Sequence, residues 1–486
     1  MSGRVDGGRG RAGSAPAATL VHESDWLGTR PFFYNERTGA ASHDIHAVID
    51  LADLEFDPEG FNDYLDFGFS VFGRTPVRDV RLLPPCARLW READGRLRVE
   101  RLPDPAAAWY DRRSSVDEVV ELARERVAAA VDGDGTVVVP TSGGFDSRFL
   151  HLLVPAAERR RLRAFTYGLS DRPQRSTEAV KAREVARRLG VAWELVPLGD
   201  FHRHLAAWER LFGVATHAHG MYHLEFYGQV VARLGGTPAT VLSGACGEWF
   251  AGDDPEVRVV PVLRTAEDVL TVFRYAGMNA DSRFSRLRGG RRGALALLEE
   301  EPRLREEMLP RVVTVVRLRM VLLSFLLRVP EALGLPVRAP FLEPDLALRM
   351  LTLPPALRHG RRWQRDLFRR AGLDLEAERL PADDRNTLNL RAMRRWPLAP
   401  LDERLLREVV QPGYVRWVNR SVGPGGLPWE ALWRLAWVPG FRRGVAALRR
   451  AGLRDRRLEA YAAYLTLWPV QELLRRRDLA RRGGEG

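Results

Sequence analysis

The chain has 486 residues, 45% of them hydrophobic and 13 of them tryptophan, enough for two or three domains with a real core, which excludes a disordered or fibrous protein. Its formal net charge is +12, yet Lys181 is the only lysine and every other basic residue, histidine aside, is arginine, a spread that reads as coding bias rather than a basic patch. No nucleic-acid partner is therefore expected, and runs such as Arg159-Arg160-Arg161 and Arg475-Arg476-Arg477 read as solvated helix faces.

Residues 1–18 are mostly Gly, Ala, Arg and Ser without an apolar stretch, and read as a disordered tail rather than a signal peptide. From Asp25 to about Pro105 short apolar runs are punctuated by turn residues: Pro31 to Tyr34, His46 to Ile49 and Val80 to Pro85. This predicts a small β-rich domain, with Pro103 to Pro105 as a linker. Ser114 to Val131 is an amphipathic helix, and Ser115 followed by Glu118 forms a capping box. Strand 136–140 then leads to a helix from Arg148, strand 163–167 to helix 174–189 and strand 193–197, and helix 221–234 to strand 239–242. Strands alternating with helices predict an α/β fold with a covered parallel sheet. From about Ala266 onward the chain reads as helical. The most apolar segment, Met320 to Leu327, is bounded by Arg319 and Arg328 and falls far short of the ~20 residues of a membrane span, so no membrane association is expected. Cys86 and Cys246 sit far apart without metal-type spacing, and a reducing cytoplasm is the expected compartment.

The most informative segment is Val137-Val138-Val139-Pro140-Thr141-Ser142-Gly143-Gly144-Phe145-Asp146-Ser147. A buried strand runs into two glycines and two hydroxyls at the start of a helix, so backbone N–H groups and the helix dipole converge on an anion. Asp146 adds like charge to such a loop. It makes sense if Mg²⁺ stands between it and the phosphates of a nucleotide. A second strand end, Val241-Leu242-Ser243-Gly244-Ala245-Cys246-Gly247-Glu248, repeats the pattern. Asp146 and Glu248 could share one Mg²⁺ over one pyrophosphate, although Glu248 could equally cap a helix. Two further segments follow, Arg338-Ala339-Pro340-Phe341-Leu342-Glu343 and Gly360 to Arg369.

In this order and spacing the four segments resemble the synthetase domain of the asparagine synthetase family, which includes β-lactam synthetases and lasso-peptide cyclases and belongs to the ATP pyrophosphatases (PP-loop proteins). The resemblance runs from about residue 25 to 400. It implies a parallel sheet of the adenine nucleotide alpha hydrolase-like type with a helical C-terminal part. Residues 19–108, carrying Asp25 to Tyr34 and Leu83-Pro84-Pro85-Cys86, are similar to part of the family's Ntn-type glutaminase domain. The front half of that domain is missing, and Ser2 stands where its nucleophilic cysteine would be. The expected organisation is a tail over 1–18, a truncated glutaminase-like domain over 19–108, an ATP pyrophosphatase domain over 109–400 and a helical extension over 401–486.

The resemblance implies that Ser142, Gly143, Gly144 and Ser147 hold the pyrophosphate of ATP, that Asp146 and Glu248 hold Mg²⁺, and that Pro140, Tyr167 and Gly244 line the adenosine. It implies activation of a small-molecule or peptide carboxylate as its acyl-adenylate, with release of pyrophosphate and transfer to an amine. The amine would be free ammonia, a substrate amine or the product of a partner protein from the same biosynthetic cluster. Arg362 is placed in the role of the family's catalytic lysine, keeping the charge but not the capacity to lose a proton. Ala245 stands where the asparagine-forming enzymes carry a Glu, which argues against asparagine formation specifically. Glu343 replaces the Asp of the family's P-F-L-D motif. His217, His219 and His223 are expected to shape the substrate side or pack structurally rather than bind a metal. Asp383, Asp384 and Asn386 read as a solvated loop. A degenerate member that binds nucleotide or a partner without catalysis is the alternative. An RNA-modifying ATP pyrophosphatase ranks last, because no RNA-binding motif is appended.

Overall fold

The computed structural model describes residues 18–252, 255–275, 277–423 and 456–483, with Gly440, Phe441 and Gly444 between the last two stretches. The segment expected to form an N-terminal tail therefore lies, Ala18 excepted, outside the described residues. So does much of the expected C-terminal extension.

The N-terminal region holds two small antiparallel sheets. One has the order β1 (Thr19–Glu23), β5 (Ala87–Arg91), β6 (Leu97–Arg101). The other has β3 (Ala41–Ser42), β2 (Phe33–Asn35), β4 (Val80–Leu82). In the chain, helix α1 (Pro58–Phe67) comes between β3 and β4, and the turn-rich reading of this region did not predict it. Asp57 caps it through the N–H groups of Glu59 and Gly60, and Pro58 occupies its first turn. An Asp-Pro pair followed by a glycine looks like a turn, yet here it starts a helix. Residues 46–49 are not a strand either. Ile45–Ala47 form a 3₁₀ turn because the Asp44 carboxylate accepts the His46 N–H and closes the local loop.

The central sheet is parallel, with the order β11 (Val337–Arg338), β10 (Ala239–Leu242), β7 (Thr136–Pro140), β8 (Leu162–Thr166), β9 (Ala192–Leu195). Val138 is the register point, paired with Val241 on one side and Arg163 on the other. Val137, Val138 and Val139 are all buried, so both faces of this strand are covered, as a parallel sheet requires. Helix α2 (Val116–Ala130) begins at Ser115 with the predicted capping box, the Ser115 and Glu118 side chains each meeting the other's backbone N–H. Helices α3 (Phe145–Leu153), α4 (Thr177–Leu189), α5 (Leu205–Phe212) and α6 (Tyr222–Leu234) connect the strands, and the short α7 (Gly247–Ala251) follows β10. The two-residue β11 interrupts a region that reads as almost entirely helical. The apolar stretch 320–327 is split between helices Met308–Leu323 and Phe325–Ala332, with buried Ser324 between them. Among the described residues no helix is long and apolar enough to cross a membrane.

The chain steps outward from β7 to β8 and β9, then returns to place β10 on the other side of β7. That reversal makes the carboxyl ends of β7 and β10 the switch point of the sheet, the place where open α/β sheets receive ligands.

Candidate active site at the sheet switch point

The loop 141–144 leaves β7 at this switch point and enters α3. The helix begins at Phe145 rather than Arg148, because Gly144 takes the extended cap position at φ −70° and ψ 175°. Asp146 thus stands in the first turn, and no side chain caps the helix, so its first N–H groups remain available to an anion. Gly143 has φ +67°, and a Cβ there would come within 2.4 Å of the Lys181 Cβ and 2.7 Å of the Ala182 N. Only glycine serves at that position. The Ser142 Oγ accepts the Gly144 N–H at 3.2 Å, and the Ser147 hydroxyl donates to the Gly144 carbonyl at 3.2 Å. The loop is braced from behind: fully buried Arg148 pairs with Glu376 at 2.6 Å and donates to the Leu373 carbonyl, while Lys181 pairs with the same Glu376 at 3.2 Å.

The second turn, 243–247, packs directly on the first. A Cβ on Gly247 would sit 2.8 Å from Asp146 Cγ and 2.8 Å from Phe341 Cδ2, and one on Gly244 would sit 3.1 Å from Asp146 Cβ. The absence of side chains at 244 and 247 is what lets Asp146 stand beside this turn. Glu248 is exposed in the first turn of α7. Burial, and then the charges of Glu248 and Asp146, push the buried Cys246 thiol well above its ordinary pKa. Phe341 stacks on Phe149 of α3 with ring centroids 5.8 Å apart. The P-F-L segment therefore buttresses the two turns, and Glu343 lies away at Arg126, 3.1 Å distant. Tyr167 follows β8 directly, and the Thr166 hydroxyl donates to the Thr141 carbonyl, which sets Tyr167 beside the anion loop. Pro140 ends β7, partly exposed.

Arg361 stands beside Asp146. Its Nη1 donates to Asp146 Oδ1 at 2.6 Å, with the two side chains 13% and 22% exposed. Arg362, expected from sequence in the role of the family's lysine, is exposed at the first position of helix Arg362–Arg370. Gly360 (φ 54°) and Arg361 (φ 53°) are both left-handed. That pair breaks the helix ahead of residue 362 and turns the Arg361 side chain across Gly252 toward the loop. A left-handed arginine is strained backbone, and here it carries a charged side chain into a cleft.

Of the remaining candidates, His217 and His223 are buried and His219 half-buried, and among the described residues no group of three or more His, Cys, Asp or Glu is placed to hold a metal ion. Burial lowers the pKa of all three, to about 4 for His219 and about 3 for His223. Asp383 is engaged rather than free. It pairs with Arg385 at 2.6 Å and docks against Ser176 and Thr177 of the β8–α4 connection. Lys181 and Gly247 are the residues that sequence reasoning passed over. The one lysine in an arginine-rich chain was a visible signal for the first, and the repeated glycine of the second turn for the other.

The family described as asparagine synthase matches residues 118–383 of the chain, which hold both turns, the P-F-L segment and Arg361. Comparison with curated proteins gives no match. Among solved structures, the chain is similar to the NH3-dependent NAD synthetase of Campylobacter jejuni, determined with a nitrate ion. That similarity is 12% identity over 43% of this chain and 96% of the synthetase, with a TM-score of 0.23.

Proposed function

Because the chain belongs to the asparagine synthase family, a family of ATP-using, amide-forming ligases, we propose that it activates a carboxylic acid as an acyl-adenylate and passes the acyl group to an amine. In the first step a carboxylate oxygen bonds to the α-phosphorus of ATP and the bond to pyrophosphate breaks. In the second the amine bonds to the acyl carbon, AMP leaves with the electron pair and the amine loses a proton. The observation that carries this reading is the convergence at the switch point: an uncapped helix start, a glycine loop that tolerates no Cβ, an acid and a guanidinium within 2.6 Å.

The donor set fits Mg²⁺. Asp146 and Glu248 offer carboxylate oxygens, the ligand type this cation takes, and Gly247 leaves beside Asp146 a space that a Cβ would fill. Bound there, Mg²⁺ supplies charge neutralisation for pyrophosphate. The chain's own residues do the rest. Ser142, Gly143, Gly144 and Ser147 orient the pyrophosphate through hydroxyl and backbone donors, and Pro140, Tyr167 and Gly244 line the adenosine. Arg361 exchanges Asp146 for phosphate oxygens as the nucleotide arrives, stabilising the charge that builds on the leaving group.

The amine comes from outside the chain. Its two cysteines, Cys86 and Cys246, both have thiol pKa values raised by burial, the opposite of an activated nucleophile, so neither supports a thiol-based glutaminase. Ala245 removes a side chain from the substrate side of the second turn, which supports a specialised-metabolite or peptide substrate over aspartate. A second reading, a non-catalytic nucleotide-binding member, draws on the closed Arg361–Asp146 pair. Pyrophosphate release from ATP and Mg²⁺ in the presence of a panel of carboxylic acids separates the two. Release that depends on both the acid and Asp146 supports the ligase, and ATP binding with no release under any acid supports the alternative.

A further inference from the structure

Arg361 faces Asp146 from a backbone that is left-handed at Gly360 and again at Arg361 itself. An arginine in that conformation persists only where neighbouring structure holds it. Trp363 and Gln364 are placed to do so. They stand in the first turn of helix Arg362–Arg370, and both are buried, at 1% and 0% exposure.

Trp363 ties this turn to both halves of the switch point. Its indole Nε1–H donates to the carbonyl of Ala251, the last residue of α7, at 2.9 Å. Its ring meets Phe149 of α3 edge to face, with centroids 5.3 Å apart, and Phe149 in turn stacks on Phe341. The anchored carbonyl adjoins Gly252, and the Arg361 side chain crosses that bare glycine, where a Cβ would sit 3.0 Å from Arg361 Nε. Gln364 reaches the guanidinium itself. Its Oε1 accepts from Arg361 Nη1 at 3.4 Å, the same nitrogen that donates to Asp146. Its Nε2 is buried with no partner among the described residues. A fully buried carboxamide with half of its bonding unmet is costly packing, and what it gains here is a hold on Arg361. The Phe145 ring lies under the guanidinium, 5.3 Å from ring centroid to the central carbon.

Resting on the nucleotide reading above, we propose that Trp363 and Gln364 are positioning residues for Arg361. Trp363 fixes the left-handed turn against α7, so that the Arg361 side chain enters the cleft beside the β7–α3 loop. Gln364 keeps hold of the guanidinium as it moves from Asp146 to phosphate oxygens. Both act on the nucleotide only through Arg361.

The test is a double-mutant cycle read by calorimetric titration of ATP with Mg²⁺ into the full-length protein. Trp363→Phe keeps a ring on Phe149 and deletes the N–H. Gln364→Met puts an apolar chain of similar length in place of the carboxamide, removes a buried donor that has no partner, and so retains the fold. With Arg361 present, Trp363→Phe is expected to raise the Kd roughly 10-fold and Gln364→Met roughly 3-fold, the scales of a short buried hydrogen bond and of a long one. With Arg361→Ala, either change is expected to move the Kd less than about 2-fold, because the side chain they position is gone. Trp208→Phe deletes an equally buried indole N–H that has no partner among the described residues; it is the control and binds as wild type. Equal fold-changes with and without Arg361, a folded Trp363→Phe or Gln364→Met protein with the wild-type Kd, or a Trp208→Phe deficit as large as that of Trp363→Phe overturns the proposal. Should Trp363→Phe fail to fold, Gln364→Met alone decides. Failure of the wild type to bind ATP overturns instead the nucleotide reading on which the proposal rests.

Discussion

Arg361→Ala is the perturbation that discriminates most sharply among readings of the site. In the free protein Arg361 spends its charge on Asp146, 2.6 Å away in a cleft where the two side chains are 13% and 22% exposed. A nucleotide brings several negative charges to the same place, and the guanidinium gains by moving to them. Loss of hydrogen bonds between a charged donor and phosphate oxygens costs roughly 1.5–3 kcal/mol, so the Kd for ATP with Mg²⁺ should rise by about 10- to 100-fold. Turnover should fall by at least ~10²-fold, the scale for removing one electrostatic stabiliser of a developing charge. Ala keeps the left-handed backbone of residue 361 at φ 53°, so its stability reports the loss of the ion pair alone. Arg361→Gly relieves a left-handed strain of about 1 kcal/mol while giving up a partly exposed ion pair, and should unfold within ~1 kcal/mol of wild type. Arg361→Lys keeps the charge without the planar fork and should fall between wild type and Ala. Calorimetric titration with ATP and Mg²⁺, paired with pyrophosphate release, measures both quantities. Arg362→Ala is the internal control and should behave as wild type. An Arg361→Ala protein with wild-type affinity and turnover, or an Arg362→Ala protein with the deficit instead, would refute the assignment.

Three further outcomes follow from the same geometry. Gly247→Ala places a Cβ 2.8 Å from Asp146 Cγ and from Phe341 and should weaken Mg²⁺-dependent ATP binding by displacing Asp146, with the overall fold retained by circular dichroism. Glu376→Gln leaves fully buried Arg148 without its carboxylate and should cost about 3 kcal/mol in urea unfolding; an unchanged midpoint would remove the brace from the account. Asp63, buried on α1 with neither carboxylate oxygen hydrogen-bonded, has its pKa pushed up to about 8, chiefly by burial and then by Glu59. Its folded pKa exceeds the unfolded value near 4. The stability it contributes is thus complete below pH 4 and lost as pH rises toward 8, by up to roughly 5 kcal/mol. Asp63→Asn should abolish that slope, and parallel pH profiles of the two proteins would contradict it.

The parallel sheet and the glycine turn at its switch point were legible in the sequence because a valine strand followed by two glycines and a helix start spells a strand–turn–helix of a covered sheet. What escaped did so for local physical reasons. Helix α1 hid behind Asp57-Pro58, a pair that serves turns and helix starts alike. Strand β11 is two residues long and gains its pairing only from β10. Arg361 rather than Arg362 meets Asp146 because helical periodicity cannot foresee two consecutive left-handed residues, Gly360 and Arg361, which reset the direction of the side chain. Lys181 was visible as the chain's one lysine, but its place against Gly143 exists only once α4 packs beside the loop.

The central claim is that the β7–α3 loop, with Asp146, is a site for ATP and Mg²⁺. Calorimetric titration of ATP into wild type and Asp146→Ala, each with and without Mg²⁺, tests it most directly. The account predicts Mg²⁺-dependent binding by wild type and loss of that dependence in Asp146→Ala, with both proteins folded. Equal affinity and equal metal dependence in the two proteins would contradict it.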